Sequence, residues 1–401
     1  MSGGAFECIN PDDVHVVRIN DNVRHMEDYT GHEHVFRISN DAHGVVLFIG
    51  VHDTTLGPSI GGLRFAPYES EEKAIKDVLR LSRGMTYKNS VAALDNGGGK
   101  AVGIAPAGGK RPSGAFLETV AVALNRINGE HRTKHGDHQG IYFTAEDAGV
   151  KVADIKKVAE HSPWVTGAKG EAPDPSPQTA RGIVAAIRTS ARAFYGSEDL
   201  ASRTISIQGA GNVGMELIRL LFEQEGVAGL NVTDIDAAAV HKAKALYGAK
   251  VFDADKIFDA PADIFSPNAM GGVLTKGHID RLHAAGVRVI AGGANNQEPD
   301  EKNHTESKYL QSKGMLYAPD FVANLGGVVW VAREGEVVSD PAAGPAIKNG
   351  IVRAVVLGLE NVFELAKKDK IDTATAAVRV AIARIEQAAA QKGGNSKTAN
   401  G

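Results

Sequence analysis

The chain has 401 residues, 43% of them hydrophobic and 23% charged, with a formal net charge of -4 and a single cysteine. That length predicts two domains with ample cores, the charge balance leaves no basic footprint for nucleic acid, and the lone Cys8 excludes an intrachain disulfide framework or a cysteine-rich metal site. With no apolar run long enough to span a membrane and no signal pattern over residues 1–7, a soluble cytoplasmic protein without membrane partners is expected.

In chain order, residues 45–52 read as a buried strand, and Ser70 then opens a helix with Glu71 and Glu72 in its first turn. Ile75, Val78, Ser82 and Met85 recur at helical spacing as its packed face, with Met85 read as core, so Lys88 is expected just past the helix C-terminus. A glycine run, Gly97 to Gly99, then delivers Lys100. The charged stretch 130–138 carries His131, His135 and His138 at a spacing conceivable for zinc, but its loop-like composition favours a solvated insertion, and no metal is assigned. Between Thr166 and Gly182 the composition turns to Gly, Pro, Ser and Asp, with Pro173, Pro175 and Pro177 stiffening a crossing into a second domain. Strands predicted at 204–208, 230–233, 262–265, 287–291 and 315–318 alternate with helices, the pattern of a doubly wound parallel sheet. A helix over 346–368 carries the chain back, and the tail 396–401 reads as disordered.

Lys88 and Lys100 form the first chemical signal. Two lysines brought to one place can hold a carboxylate with one ammonium while the other does proton chemistry, because burial disfavours a charged lysine. The glycines would let backbone and ligand approach closely, as an amino-acid or 2-oxo-acid site needs. Either lysine alone is more plainly a surface residue flanking a Gly-rich turn. The second signal is the strand 204–208 running directly into Gly209, Ala210, Gly211, Asn212, Val213 and Gly214, followed by an amphipathic helix over 215–222. Glycines at a strand-to-helix turn are the context that dinucleotide binding requires. The next strand ends at Asp234, twenty residues beyond Gly214, where a carboxylate would accept the ribose 2′-hydroxyl and repel a 2′-phosphate, favouring NAD over NADP. Asp234 can also be read as a plain turn residue, and Asp236 stands close by.

Further motifs lie at 57–65 (Gly-Pro-Ser-Ile-Gly-Gly-Leu-Arg-Phe), 144–147 (Thr-Ala-Glu-Asp), 292–297 (Gly-Gly-Ala-Asn-Asn-Gln) and 317–320 (Tyr-Ala-Pro-Asp). With these, the chain resembles the amino-acid dehydrogenase superfamily of glutamate, leucine, valine and phenylalanine dehydrogenases, nearest in type to the leucine, phenylalanine and valine branch. The motifs come in that family's order over most of residues 45–335. The resemblance implies a two-domain α/β fold with the active site in the cleft between the domains. Residues 1–168 would form an α/β substrate-binding, catalytic and oligomerisation domain on which the helices of 370–401 repack, and 169–369 a doubly wound Rossmann NAD-binding domain. A homo-oligomer is also implied.

The activity implied is NAD-dependent, reversible oxidative deamination of an L-amino acid to the 2-oxo acid, ammonia and NADH. Lys88 would bind the α-carboxylate, Lys100 would be the catalytic acid/base that polarises the carbonyl and activates water, and Asp147 would exchange a proton with the amino group. Gly61 and Asn296 fall at substrate-binding positions, Asn295 near the nicotinamide ribose and Thr179 near its amide, while Gly209, Gly211, Asn212, Val213, Gly214 and Asp234 would hold the rest of the cofactor. By composition alone Asp147, followed by Ala148 and Gly149, is a turn or helix cap, and Asn295 with Asn296 an Asn-rich loop.

Glutamate dehydrogenases have a lysine where this chain has Ile60, and burying a carboxylate against an isoleucine would cost several kcal/mol. By family position the pocket is Ile60, Ala145, Val328 and Val331, all apolar, which suits leucine, valine or isoleucine; an aromatic amino acid, phenylalanine or tryptophan, is the competitor. Leu325 and Trp330 are bulkier than leucine dehydrogenases lead one to expect, and Trp330 reads equally as core. Two other classes compete. Residues 57–61 match the G-x-S-x-G of serine hydrolases, but that elbow must feed a helix and 60–67 make a poor one. A non-catalytic NAD-binding sensor would not need both lysines and Asp147.

Overall fold

The computed structural model describes residues 8–109, 111–168, 174–269 and 271–398; residues 1–7, Pro173 and the last three residues of the expected tail lie outside them. The chain divides into two compact units, one comprising Met1–Ala172, Val331–Pro341 and Ala381–Gly401, the other Pro173–Trp330 and Ala342–Val380.

The first unit is built on β1 (His15–Arg18), β2 (His34–Asn40), β3 (Val45–Asp53), β4 (Ser59–Ala66), β5 (Gly97–Ile104) and β6 (Tyr142–Glu146), with helices α1 (Asn20–Val23), α2 (Glu71–Val91), α3 (Gly114–Glu130) and α4 (Val152–His161). Its sheet runs β1-β2-β3-β5-β4-β6, antiparallel from β1 to β5 and parallel among β5, β4 and β6. β3 is an almost unbroken apolar run because both of its faces are covered, and side chains alternate between them. Leu47, Ile49 and Val51 pack with Phe116, Leu117, Val120 and Leu124 of α3 and with Ile155 and Val158 of α4. Phe48 packs with Ala74, Val78 and Leu79 of α2. β1, mostly exposed, carries His15 and Arg18 on the sheet edge, where charge discourages further strand pairing.

Two expectations are corrected in this unit. Lys88 is in the last turn of α2, not beyond it, because the helix continues to Val91 through its Thr, Lys and Asn residues. The glycine run is the start of strand β5, not a turn. A Cβ built on Gly98 would stand 2.0 Å from the Thr86 amide nitrogen, and one on Gly99 2.5 Å from the Tyr142 ring. The missing side chains thus admit a helix and a tyrosine against the strand rather than a ligand.

The second unit carries a six-stranded parallel sheet in the order β12-β11-β10-β7-β8-β9. Its strands are β7 (Thr204–Gln208), β8 (Gly229–Thr233), β9 (Lys250–Val251), β10 (Ile264–Pro267), β11 (Val289–Ile290) and β12 (Leu316–Tyr317); β9 was not foreseen from the sequence. The helices are α5 (Ser176–Tyr195), α6 (Asn212–Glu223), α7 (Ala237–Tyr247), α8 (Lys276–Ala284), α9 (Thr305–Ser312), α10 (Asp320–Ala323) and α11 (Gly326–Ala332). Then come α12 (Glu334–Ser339), which belongs to the first unit, and α13 (Gly344–Asp369), which packs on α5. Phe265, Ile290 and Tyr317 cover one face of the sheet with Ile279 and Leu282 of α8 and Leu310 of α9.

The last helix, α14 (Thr373–Thr398), is shared. Ala374 lies in the second unit's core, and its amide donates to Ser307 Oγ at 3.2 Å. From Ala381 onward the helix belongs to the first unit, where the Ala381 carbonyl accepts from Ser90 Oγ at 2.7 Å. The return to the first unit therefore begins at Ala381 rather than at 370, and residues 396–398, expected to be disordered, continue the helix. No helix among the described residues is long and apolar enough to cross a membrane.

Candidate active site

In the first unit three parallel strands set the register. Ile60 stands beside Gly98 and Phe143, Gly61 beside Thr144, and Gly62 beside Ala145. Lys100 follows on β5, and Asp147 comes directly after β6. Lys100 is only 6% exposed, and its Nζ donates to Asp147 Oδ2 at 2.6 Å. A buried ammonium needs a partner, which is not the situation of a surface lysine beside a turn. Burial pushes the Asp147 carboxyl up, but Lys100 and Arg64 outweigh it and hold the group at about 2. Asp147 is therefore a carboxylate, and more than a turn residue.

Lys88 is half-buried between two anchors of α2. One is Thr86, packed on Gly98, and the other is Asn89, whose Nδ2 donates to the Gly97 carbonyl at 2.6 Å. Ile60 and Ala145 are buried, and the Gly61 carbonyl accepts from the Tyr142 hydroxyl at 2.8 Å. Met85, expected as core, is only half-buried and approaches the Gly61 backbone. Val331 falls in this unit too, its carbonyl accepting from Thr166 Oγ1 at 3.1 Å.

Beyond these residues the structure joins three that the sequence did not single out. Arg64 Nε reaches the same Asp147 Oδ2 at 3.3 Å, and its Nη1 donates to Asp77 Oδ2 at 2.9 Å. The Tyr68 hydroxyl donates to that Asp77 oxygen at 2.6 Å. The only prior sign of Arg64 was its place in the 57–65 motif.

In the second unit the glycine fingerprint forms the turn between β7 and α6. A Cβ on Gly214 would stand 2.0 Å from the Gly209 carbonyl, so only glycine lets the helix start this close to the strand. Gly211 is the N-cap of α6, has no side-chain cap, and has open space where a side chain would stand. The amides of Asn212, Val213 and Gly214 have no intrahelical acceptor, so they could donate to an anionic group. Asp234 accepts from the Ala210 amide at 2.6 Å and from the Asp236 amide at 2.8 Å, and its oxygens retain lone pairs for further donors. Asp236 is the N-cap of α7, accepting from the Ala238 amide at 2.9 Å, so the two acids have distinct roles. Between them Ile235 is 98% exposed, an apolar surface unforeseen from the sequence.

The loop after β11 is held by amides. Asn268 accepts from the Gly293 amide at 2.9 Å, and Asn324 donates to the Gly293 carbonyl at 3.1 Å and to Asn295 Oδ1 at 2.7 Å. Asn296 takes a left-handed backbone, φ 56°, which asparagine tolerates. On α5, Thr179 Oγ1 donates to the Pro175 carbonyl at 3.2 Å. Val328 is half-buried on α11, whereas Leu325 and Trp330 are buried.

Ser59 begins a strand, is fully buried, and donates its hydroxyl to the Ile141 carbonyl at 2.5 Å, so no nucleophile elbow exists. The histidines of 130–138 do not converge: His131 packs on His34 and Phe36, while His138 sits beside Asp137. Among the described residues no group of three or more His, Cys, Asp or Glu could hold a metal ion.

Comparison with known proteins bears on the same residues. Residues 32–162 match the model of the Glu/Leu/Phe/Val dehydrogenase dimerisation domain, and residues 227–393 that of the Glutamate/Leucine/Phenylalanine/Valine dehydrogenase domain. A leucine dehydrogenase of Geobacillus stearothermophilus is 38% identical over 90% of this chain and 93% of its own length. An L-tryptophan dehydrogenase of Nostoc punctiforme is 35% identical over 90% of this chain and 96% of its own. The crystal structure of L-tryptophan dehydrogenase from Nostoc punctiforme superposes with a TM-score of 0.73 at 33% identity, covering 92% of this chain and 98% of that one. With a buried lysine paired to an aspartate on one sheet and a glycine-rich strand-to-helix turn on the other, the chain belongs to the glutamate/leucine/phenylalanine/valine dehydrogenase family of amino-acid dehydrogenases.

Proposed function

We propose that this enzyme catalyses the NAD-dependent oxidative deamination of an apolar L-amino acid of the leucine, valine or isoleucine type, releasing the 2-oxo acid and ammonia. The observation that carries this reading is the 2.6 Å pair of buried Lys100 with Asp147, flanked by the apolar Ile60 and Ala145. Lys88 would anchor the α-carboxylate as a point charge. Asp147, held ionised, takes a proton from the substrate ammonium; a carboxylate kept at about 2 is a weak base, so it passes that proton on to Lys100 rather than storing it. Lys100, once it has released that proton to solvent, takes the proton of the water that adds to the imine carbon, protonates the amine with it, and takes the hydroxyl proton as the carbonyl forms and ammonia leaves. The dinucleotide, when bound, accepts the substrate's α-hydride. Its pyrophosphate would sit at the uncapped start of α6, its adenosine ribose on Asp234, and its adenine against exposed Ile235.

Support for an apolar side chain is that positions 60 and 145 carry Ile and Ala, in register with Gly98 and Phe143 and with Gly62. The tryptophan dehydrogenase relatives favour a second reading, the same reaction on an aromatic amino acid. NADH formation at 340 nm over a panel of leucine, valine, isoleucine, phenylalanine, tryptophan and glutamate separates the two readings, and leucine or valine should lead. The same panel with NADP should be much slower, because Asp234 repels a 2′-phosphate. Efficient glutamate turnover would overturn the substrate assignment, and a preference for NADP would overturn the role of Asp234. A homo-oligomer is part of this reading, supported by the match of 32–162 to a dimerisation domain; light scattering giving a monomer's mass would remove it.

A further inference from the structure

We propose that Arg64, itself steered by Asp77, is a positioning residue for this reaction: it shares the Asp147 carboxylate with Lys100 and so sets how readily Lys100 gives up its proton. The inference rests on the function proposed above. A lysine with a carboxylate to itself at 2.6 Å would be a firmly held ammonium and a poor base. Here the same oxygen, Oδ2, receives both Lys100 Nζ and Arg64 Nε, so its negative charge is divided between two cations that also repel each other. An arginine suits this task because it stays charged throughout the working range and directs its donors in fixed directions, Nε to Asp147 and Nη1 to Asp77.

Asp77 has two consequences. It fixes the guanidinium plane, and it offsets part of the positive charge. Tyr68, whose hydroxyl is raised well above its ordinary range by burial and by its bond to Asp77, remains a donor and locks that carboxylate in turn. The titratable groups on the elements packed around Lys100 and Asp147 include Arg64 on β4, Tyr68 just after it, Asp77, Arg83, Tyr87 and Lys88 on α2, His52 and Asp53 on β3, and Tyr142 and Glu146 on β6. Facing Lys100 on β3 is Gly50, which carries none. The Tyr142 hydroxyl is already engaged with the Gly61 carbonyl and with Thr144. The charges therefore alternate along one line, Lys100, Asp147, Arg64, Asp77.

The test uses the full-length enzyme and reads the low-pH limb of kcat/KM for deamination. Arg64→Gln should move that limb upward by about one pH unit, and Asp77→Asn, which leaves Arg64 uncompensated, should move it downward. Arg64→Lys, which keeps the charge, should bring the limb most of the way back. A second readout needs no turnover: carbamylation of Lys100 by cyanate, followed by mass spectrometry at fixed pH, consumes only the neutral amine. It should be about tenfold slower in Arg64→Gln, the equivalent of one pH unit, and faster in Asp77→Asn. An unchanged limb and unchanged carbamylation in a folded Arg64→Gln would reduce Arg64 to a structural strut and overturn the proposal. If that variant does not fold, an unmoved limb in Asp77→Asn overturns it equally. Should the wild-type protein turn over no amino acid, the functional reading falls, while the cyanate rates still decide whether the carboxylate is shared.

Discussion

The two lysines are set up to fail differently. Lys88 lies on a helix that packs through Thr86 and Asn89, so Lys88→Ala would remove the proposed substrate anchor without disturbing the Lys100–Asp147 pair. Its KM should rise by one to two orders of magnitude, roughly the worth of a charge-assisted hydrogen bond, with a smaller fall in kcat. Lys100→Ala would leave Asp147 facing Arg64 alone and remove the proposed base, so kcat should fall by about 10² or more with NAD binding intact. Steady-state kinetics and a dinucleotide titration check both; near-normal turnover by Lys100→Ala would contradict the assignment. At Ile60, 8% exposed, a lysine would have to be desolvated in an apolar wall, so Ile60→Lys should lose most activity on apolar substrates and gain little on glutamate. At this scale the sequence was readable where a residue sits in a motif with a chemical reason, as Lys100 does. It was silent on the Arg64, Asp77 and Tyr68 chain, because the partners of Arg64 lie 13 and 83 residues away and no periodicity links them.

Among the elements, the contact between α2 and β5 depends most on single atoms. A methyl group on Gly98 would meet the Thr86 amide nitrogen at 2.0 Å, its hydroxyl at 2.2 Å and its Cα at 2.5 Å, and backbone atoms of a packed helix cannot step aside. Gly98→Ala should therefore cost about 3 kcal/mol or more and raise KM, since Lys88 rides on the displaced helix; thermal melts and kinetics on the purified variant would show both. Glycine is depleted in strands, so a run of three with a following lysine is naturally taken for a turn, and only the helix laid across it shows why three are needed. The alternating strands of the second unit were legible for the opposite reason. They are short, apolar and bounded by turn residues, and the fingerprint fixes where β7 ends. β9, two exposed residues, carries no such pattern.

For the molecule as a whole, acid should be felt first through buried and half-buried histidines of the first unit. Burial lowers His32 and His34 from 6.5 to about 4 and His52 to about 3, with nearby positive groups adding to the effect. Because the folded state holds these rings neutral, they contribute stability above pH 6.5, and that contribution is lost progressively as pH falls through 6.5 toward 4 and 3. His52 hydrogen-bonds Thr86 Oγ1 at 2.9 Å and Thr30 Oγ1 at 3.2 Å, bonds a glutamine can partly replace. The melting temperature of His52→Gln should consequently fall less between pH 7 and 5 than that of the wild type; parallel curves would show that His52 is protonated without penalty.

The discontinuity of the first unit has a consequence for how the protein is made. Arg384 donates to the Leu94 carbonyl at 2.8 Å and pairs with Asp95 at 3.0 Å, and Ser90 is bonded to Ala381, so the stretch just past Lys88 is held by residues made long after it. A nascent chain can assemble the sheet of the first unit early, but the end of the helix that bears Lys88 stays loose until residues 381–384 have been made. A message truncated shortly before codon 381 would yield a chain with the whole dinucleotide fingerprint and the Lys100–Asp147 pair but an unbraced Lys88, a product that should bind cofactor while turning over its substrate poorly.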